Sequence, residues 1–142
     1  MDTAVAIAVS AIFFLLALWH FRMAFSPATG ASGAVPSVDG KPLFVPSSRA
    51  TIGVGIALLV FAALVAATAG LLPLALPRVV LVWLSYALAL GLLLRAIGEF
   101  KYVGFFKRVR GSRFAKLDTL VYSPLCLLLA IGVALVAHHH GA

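Results

Sequence analysis

The side chains best suited to chemistry lie near the ends of long apolar runs: His20, Arg95, Glu99, Lys101, Asp118 and Tyr122. An imidazole, two carboxyl groups, a guanidinium, an ammonium and a phenol can move protons or hold anions. Arg95 and Glu99 stand four residues apart, so they can pair on one helical face. Asp118 opens an apolar run, where it can cap a helix or engage a cation. If Arg95 is partly released from Glu99, its guanidinium can grip a carboxylate or phosphate through two parallel hydrogen bonds, with Tyr122 and a kink at Pro124 shaping the pocket. Alternatively, His20 or Glu99 acts as a general base on a lipid or isoprenoid head group while Arg95 or Lys101 stabilises negative charge. That alternative requires an open cavity beside His20. A bland account competes with both: an Arg95–Glu99 pair, Asp118 as a helix cap, and the remaining cations held against anionic lipid.

The elements that must position these groups are membrane spans. The 142 residues are 63% hydrophobic and 11% charged, with mean hydropathy +1.14, whereas about a quarter of a soluble domain is charged. Four runs, roughly 3–25, 51–72, 79–97 and 118–137, are long enough to cross a ~30 Å hydrocarbon core as helices. The expected fold is an all-α bundle of four transmembrane helices in one domain. No length remains for a separate soluble catalytic unit. The first run follows Met1-Asp2-Thr3, without a basic flank, and leads into His20, Phe21 and Arg22 instead of a small-residue cleavage site, so it reads as a retained span.

Cationic residues set the expected orientation. Arg95, Lys101, Lys107, Arg108, Arg110, Arg113 and Lys116 crowd one connection, and Arg22, Lys41 and Arg49 flank another, leaving Arg78 alone. The positive-inside bias puts both basic connections in the cytoplasm and both termini outside. It also accounts for the net charge of +7 without nucleic acid. Expected partners are the bilayer, anionic head groups at the basic loop, and a second copy of the chain, since four spans make a narrow pathway.

Local signals refine this picture. Pro27, Gly30, Gly33, Pro36 and Gly40 make the first connection a loop, and Val38-Asp39-Gly40-Lys41 predicts a small β-hairpin with Leu43-Phe44-Val45 returning. Pro46-Ser47-Ser48 reads as a stop and cap before the second span. Pro73 and Pro77 predict a tight antiparallel pair of the second and third helices. Trp19 and Trp83 fit interfacial anchors.

For packing, Ala62, Ala66 and Gly70 form a small-residue row on the second span. Ala87 and Gly91 extend towards Arg95 and Glu99 on the third. A helix starting at Pro124 would run only about 21 Å to Ala137. The fourth span is therefore expected to begin near Asp118 and to kink at Pro124, freeing the Leu120 carbonyl. Cys126, the single cysteine, reads as apolar packing, and no metal site or cofactor is called for. His138-His139-His140 reads as a solvated tail or a tag remnant.

The runs Leu94–Lys107, Phe114–Thr119 and Tyr122–Cys126, together with Trp19-His20 and Val54, Gly55 and Ala57, resemble a family of small bacterial membrane proteins catalogued as a domain of unknown function. Arg95, Gly98, Glu99 and Lys101 match its third-helix element, and Asp118, Tyr122 and Pro124 its fourth. The resemblance implies four membrane helices, extends over nearly the whole chain, and brings no activity. Three functions stay open: binding or passing a small or amphipathic, anionic ligand, catalysis on a lipid head group, or service as an accessory subunit of a membrane complex.

Overall fold

A computed structural model describes residues 2–26 and 33–141. Pro27 and Gly30, two of the expected turn formers, fall outside the described residues. Four helices are long and apolar enough to cross a membrane: Thr3–Ala24, Ser48–Thr68, Arg78–Ile97 and Arg113–Gly141. The chain is a multi-pass membrane protein by that criterion. Its outward surface agrees, since Leu15, Leu120 and Leu128 are each more than 60% exposed, an arrangement that lipid accepts and water does not.

Helix α1 (Asp2–Ala24) buries Ala6, Val9, Phe13, Ala17 and Ala24 at helical spacing. It lies along α2 (Ser48–Thr68), and Phe13 meets Phe61 edge-on at 5.8 Å. Close approach depends on Gly55, where a β-carbon would come within 2.5 Å of the Phe21 ring. Ser47 caps α2, its Oγ accepting from the Ala50 amide at 3.1 Å as expected.

Helix α2 stops at Thr68, short of the expected Leu72. Gly70 takes φ +73°, while the amides of Leu71 and Gly70 donate to the carbonyls of Ala66 and Ala67 (2.8 and 3.0 Å). This is a Schellman termination, so Gly70 ends the helix and is not a packing residue.

The turn through Pro73 and Pro77 returns the chain as α3 (Arg78–Ile97), but α2 and α3 are not the tight pair expected. The dominant pairings are α1 with α2 and α3 with the last helix. A buried polar contact does join α2 to α3. The Thr68 hydroxyl lies 2.9 Å from the Leu64 carbonyl and 2.9 Å from Ser85 Oγ, with which it shares a hydrogen bond. The row Ala87–Gly91 is also corrected: both residues are exposed, and nothing in the chain lies within 4 Å of a β-carbon at Gly91. The buried row of α3 is Leu81, Val82, Ser85, Ala89 and Ala96.

The first connection contains the expected hairpin, β1 (Ser37–Val38) antiparallel to β2 (Lys41–Pro42). Asp39 and Gly40 both have positive φ, +50° and +76°, the demand of a type I′ turn. The returning strand is thus Lys41–Pro42, followed by the Leu43 amide donating to the Pro36 carbonyl (2.9 Å), and not Leu43–Val45.

The last span begins earlier than expected. Its first turns, α4 (Arg113–Leu117), are capped by Ser112, whose Oγ accepts from the Ala115 amide (3.0 Å). A π-helical turn over Asp118–Tyr122 leads into α5 (Ser123–Gly141). The Ser123 amide donates five residues back to the Asp118 carbonyl, so the widened turn lies immediately before Pro124. α5 then packs on α1, where a β-carbon at Gly132 would come within 2.6 Å of Val9. The triplet His138–His140 continues this helix and is no loose tail.

Candidate functional site

Both long connections lie at one end of the bundle, and there the chain buries a charge cluster. Asp118 is completely buried on the π turn. Its Oδ1 accepts from Arg95 Nη2 at 2.9 Å. Its Oδ2 accepts from the Gly104 amide at 2.7 Å and from Lys107 Nζ at 3.0 Å. Every donor is an N–H and two are cationic, a setting matched to a carboxylate.

Lys107 is only 2% exposed, and an ammonium withdrawn from water costs several kcal/mol unless fully engaged. It donates to Asp118, to the Gly104 carbonyl (2.9 Å) and to Thr119 Oγ1 (2.6 Å), which matches its three protons. Thr119 passes its own proton to the Ala115 carbonyl at 3.1 Å. The amine is therefore satisfied without water.

The loop that delivers Lys107 is shaped by two glycines. α3 ends as the Gly98 amide donates to the Leu94 carbonyl (2.8 Å) with φ +88°, and Gly104 has φ +91°. The two backbones press together: a β-carbon at Gly98 would overlap the Val103 carbonyl, and one at Gly104 would overlap that of Ile97. The Phe105 amide then donates to the Ala96 carbonyl (2.9 Å), tying the loop to the end of α3.

This geometry separates the expected site residues. Arg95, Asp118 and Tyr122 stay near the cluster, while Glu99, Lys101 and His20 do not join it. The helix ends before Glu99, so the i to i+4 pairing with Arg95 is unavailable, and Glu99 Oε1 instead accepts from the Tyr102 amide (2.6 Å). Lys101 is exposed, its ammonium 5.0 Å from the Tyr102 ring centroid. His20 Nδ1 donates to the Leu16 carbonyl (2.7 Å) on its own helix. Asp118 is no cap, because Ser112 fills that role.

Tyr122 reaches the first connection, its hydroxyl donating to the Gly33 carbonyl at 3.3 Å and its ring packing on Phe114 at 6.0 Å. Gly33 is buried against Leu117 and the stem of Arg113, so the first connection is seated on the same end of the last helix. Lys107, Gly104 and Thr119 escaped the sequence reading. The available signal was Asp118 itself, because a carboxylate inside a span invites more than one cationic partner.

Two of the buried polar atoms without partners lie at this end of the bundle. Arg95 Nη1 and Ser123 Oγ are buried and make no hydrogen bond among the described residues. The Arg95 side chain as a whole is 36% exposed, so it reaches the surface although Nη1 itself is buried. Two cations around one carboxylate leave a formal excess of one positive charge. Such an arrangement can hold an anion. Among the described residues, no three His, Cys, Asp or Glu side chains group together as a metal site.

No curated protein and no solved structure matches the chain. Residues 13–133, which take in part or all of each of the four helices and the whole cluster, match the family described as "Protein of unknown function (DUF3995)", and the chain belongs to that family.

Proposed function

We propose that this protein binds, and by extension passes, a small or amphipathic anion at the polar cleft beside Arg95. The observation that carries the reading is the imbalance at the cluster: two cations face one carboxylate, and Arg95 Nη1 is buried without a partner. A carboxylate or phosphate at that free edge would complete the guanidinium fork and neutralise the excess charge. Tyr122 and the seated first connection would border the ligand. The positive-inside bias supports a cleft facing the cytoplasm, with both termini outside, in a bacterial inner membrane. Exposed Phe100 and Phe106 beside Lys101 and Arg108 suit contact with anionic head groups at that face. The catalytic alternative draws less support, since His20 is committed to its own helix and lies outside the cluster.

The test is Arg95→Lys in the full chain. Lysine can still pair with Asp118 but has no second arm for a ligand. Thermal shift in neutral detergent, titrated with oleate and with phosphatidylglycerol against phosphatidylcholine, is expected to reveal stabilisation by the anions. The variant should bind them about tenfold more weakly, the loss of roughly one charge-assisted hydrogen bond. Undiminished binding by Arg95→Lys, or equal shifts with zwitterionic lipid, would overturn the reading.

A further inference from the structure

At the opposite end of the bundle, α5 runs on beside the first turns of α3 and leaves an open groove of about 620 Å³. Its two helices meet closely at one point, where a β-carbon at Gly141 would come within 2.9 Å of Val82. Arg78 stands at its mouth. The Arg78 Nε donates to the His140 carbonyl at 2.7 Å, and Nη2 lies 3.1 Å from His140 Nδ1. These bonds fix the guanidinium while leaving N–H donors in excess of those engaged. His140 Nε2 is buried without a partner among the described residues.

Trp83 and Tyr86 form the aromatic wall, 6.0 Å apart, and Trp83 is 69% exposed. No acidic side chain lines the groove among the described residues. Arg78 therefore stands beside apolar and aromatic surface with no acidic side chain in the described lining, an order of surfaces that suits the level where lipid head groups meet acyl chains. That sequence of surfaces is complementary to one amphiphile: an anionic phosphate above, glycerol and acyl carbons below.

We infer that this groove is a second binding site, separate from the Arg95 cleft, for one anionic phospholipid of the adjoining leaflet. Its phosphate takes the free edge of Arg78 and its upper acyl carbons lie on Trp83 and Tyr86. An ordinary boundary lipid would touch the same surface without preference for charge. The guanidinium fork supplies that preference, because its planar donors match two phosphate oxygens at once.

The chain contains two tryptophans, so Trp19→Phe leaves Trp83 as the sole indole reporter. In bilayer nanodiscs of phosphatidylcholine, the full-length variant is titrated with phosphatidylglycerol or phosphatidylcholine brominated high on the acyl chain. Brominated phosphatidylglycerol is expected to quench Trp83 at about fivefold lower mole fraction, the order of preference one basic residue gives near anionic lipid. Adding Arg78→Lys, which keeps the charge and loses the fork, should remove most of that preference. Equal quenching by the two lipids overturns the site, and so does full retention in Arg78→Lys, which would indicate diffuse surface charge. Inorganic phosphate alone changing Trp83 emission, with no lipid preference, would also overturn it in favour of a free-anion site.

Discussion

Lys107 illustrates how one buried amine can look ordinary in a sequence. It sits among six other cations between Arg95 and Lys116, where the positive-inside bias explains each of them equally well. Its burial depends on a backbone path that brings Gly104 and Asp118 together, and no local pattern announces that path. Arg95 and Asp118 were legible because a charge within a span must be engaged. The identity of Arg95's partner was not, since it depends on where α3 stops. Removing Lys107 should leave Asp118 with one cation fewer in a buried site. Lys107→Ala is accordingly expected to lower stability by ~3 kcal/mol or more, and Lys101→Ala by less than ~0.5 kcal/mol. Thermal unfolding of both in the same detergent checks the contrast, and similar losses would contradict the assigned geometry.

Helix ends and turns followed the residues wherever backbone conformation demanded a particular type. Asp39-Gly40 gave the hairpin because both positions need positive φ, and Ser47 gave the start of α2 because its hydroxyl satisfies an exposed amide. Small residues were harder to interpret, because glycine serves as spacer, terminator or bystander in one alphabet. Gly55 and Gly132 are spacers, Gly70 is a terminator, and Gly91 faces outward. Gly98→Ala and Gly104→Ala should each cost more than ~1 kcal/mol and loosen the loop over Lys107, through strain and backbone overlap. Gly91→Ala should be neutral or stabilising by ~0.5 kcal/mol, since it meets nothing within the chain and improves helix propensity. The π turn was only half visible: Pro124 signalled an interruption, but the widened register lies one turn earlier. Deleting Val121 should close the π turn to α-helical register and keep Asp118 facing Arg95 and Lys107, because four α-helical steps sweep about the same angle as five steps of a π turn. Retained cooperative unfolding would report it, and loss of cooperativity would contradict the assigned register.

For the whole molecule, composition settled the class while pairwise packing stayed hidden. Four apolar helices of similar character can neighbour one another in several ways, and lipid gives little apolar drive to choose among them. The choice falls to close contacts such as Phe21 on Gly55 and Val9 on Gly132. Cysteines placed singly at Asp39, Arg108 and His139, in a Cys126→Ala background, test the arrangement with a membrane-impermeant maleimide. Positions 39 and 108 should react from the same side and 139 from the other. Reaction of 39 and 108 from opposite sides would be incompatible with four crossings.

The bond from Tyr122 to Gly33 joins positions 89 residues apart. A ribosome delivering this chain releases the hairpin connection long before the tyrosine that will anchor it. Until the final helix enters the bilayer, that connection has no seat, and the face carrying the charge cluster stays unroofed. Maturation of that face is therefore a late event in biogenesis, and a nascent chain halted before its last span would carry an accessible hairpin.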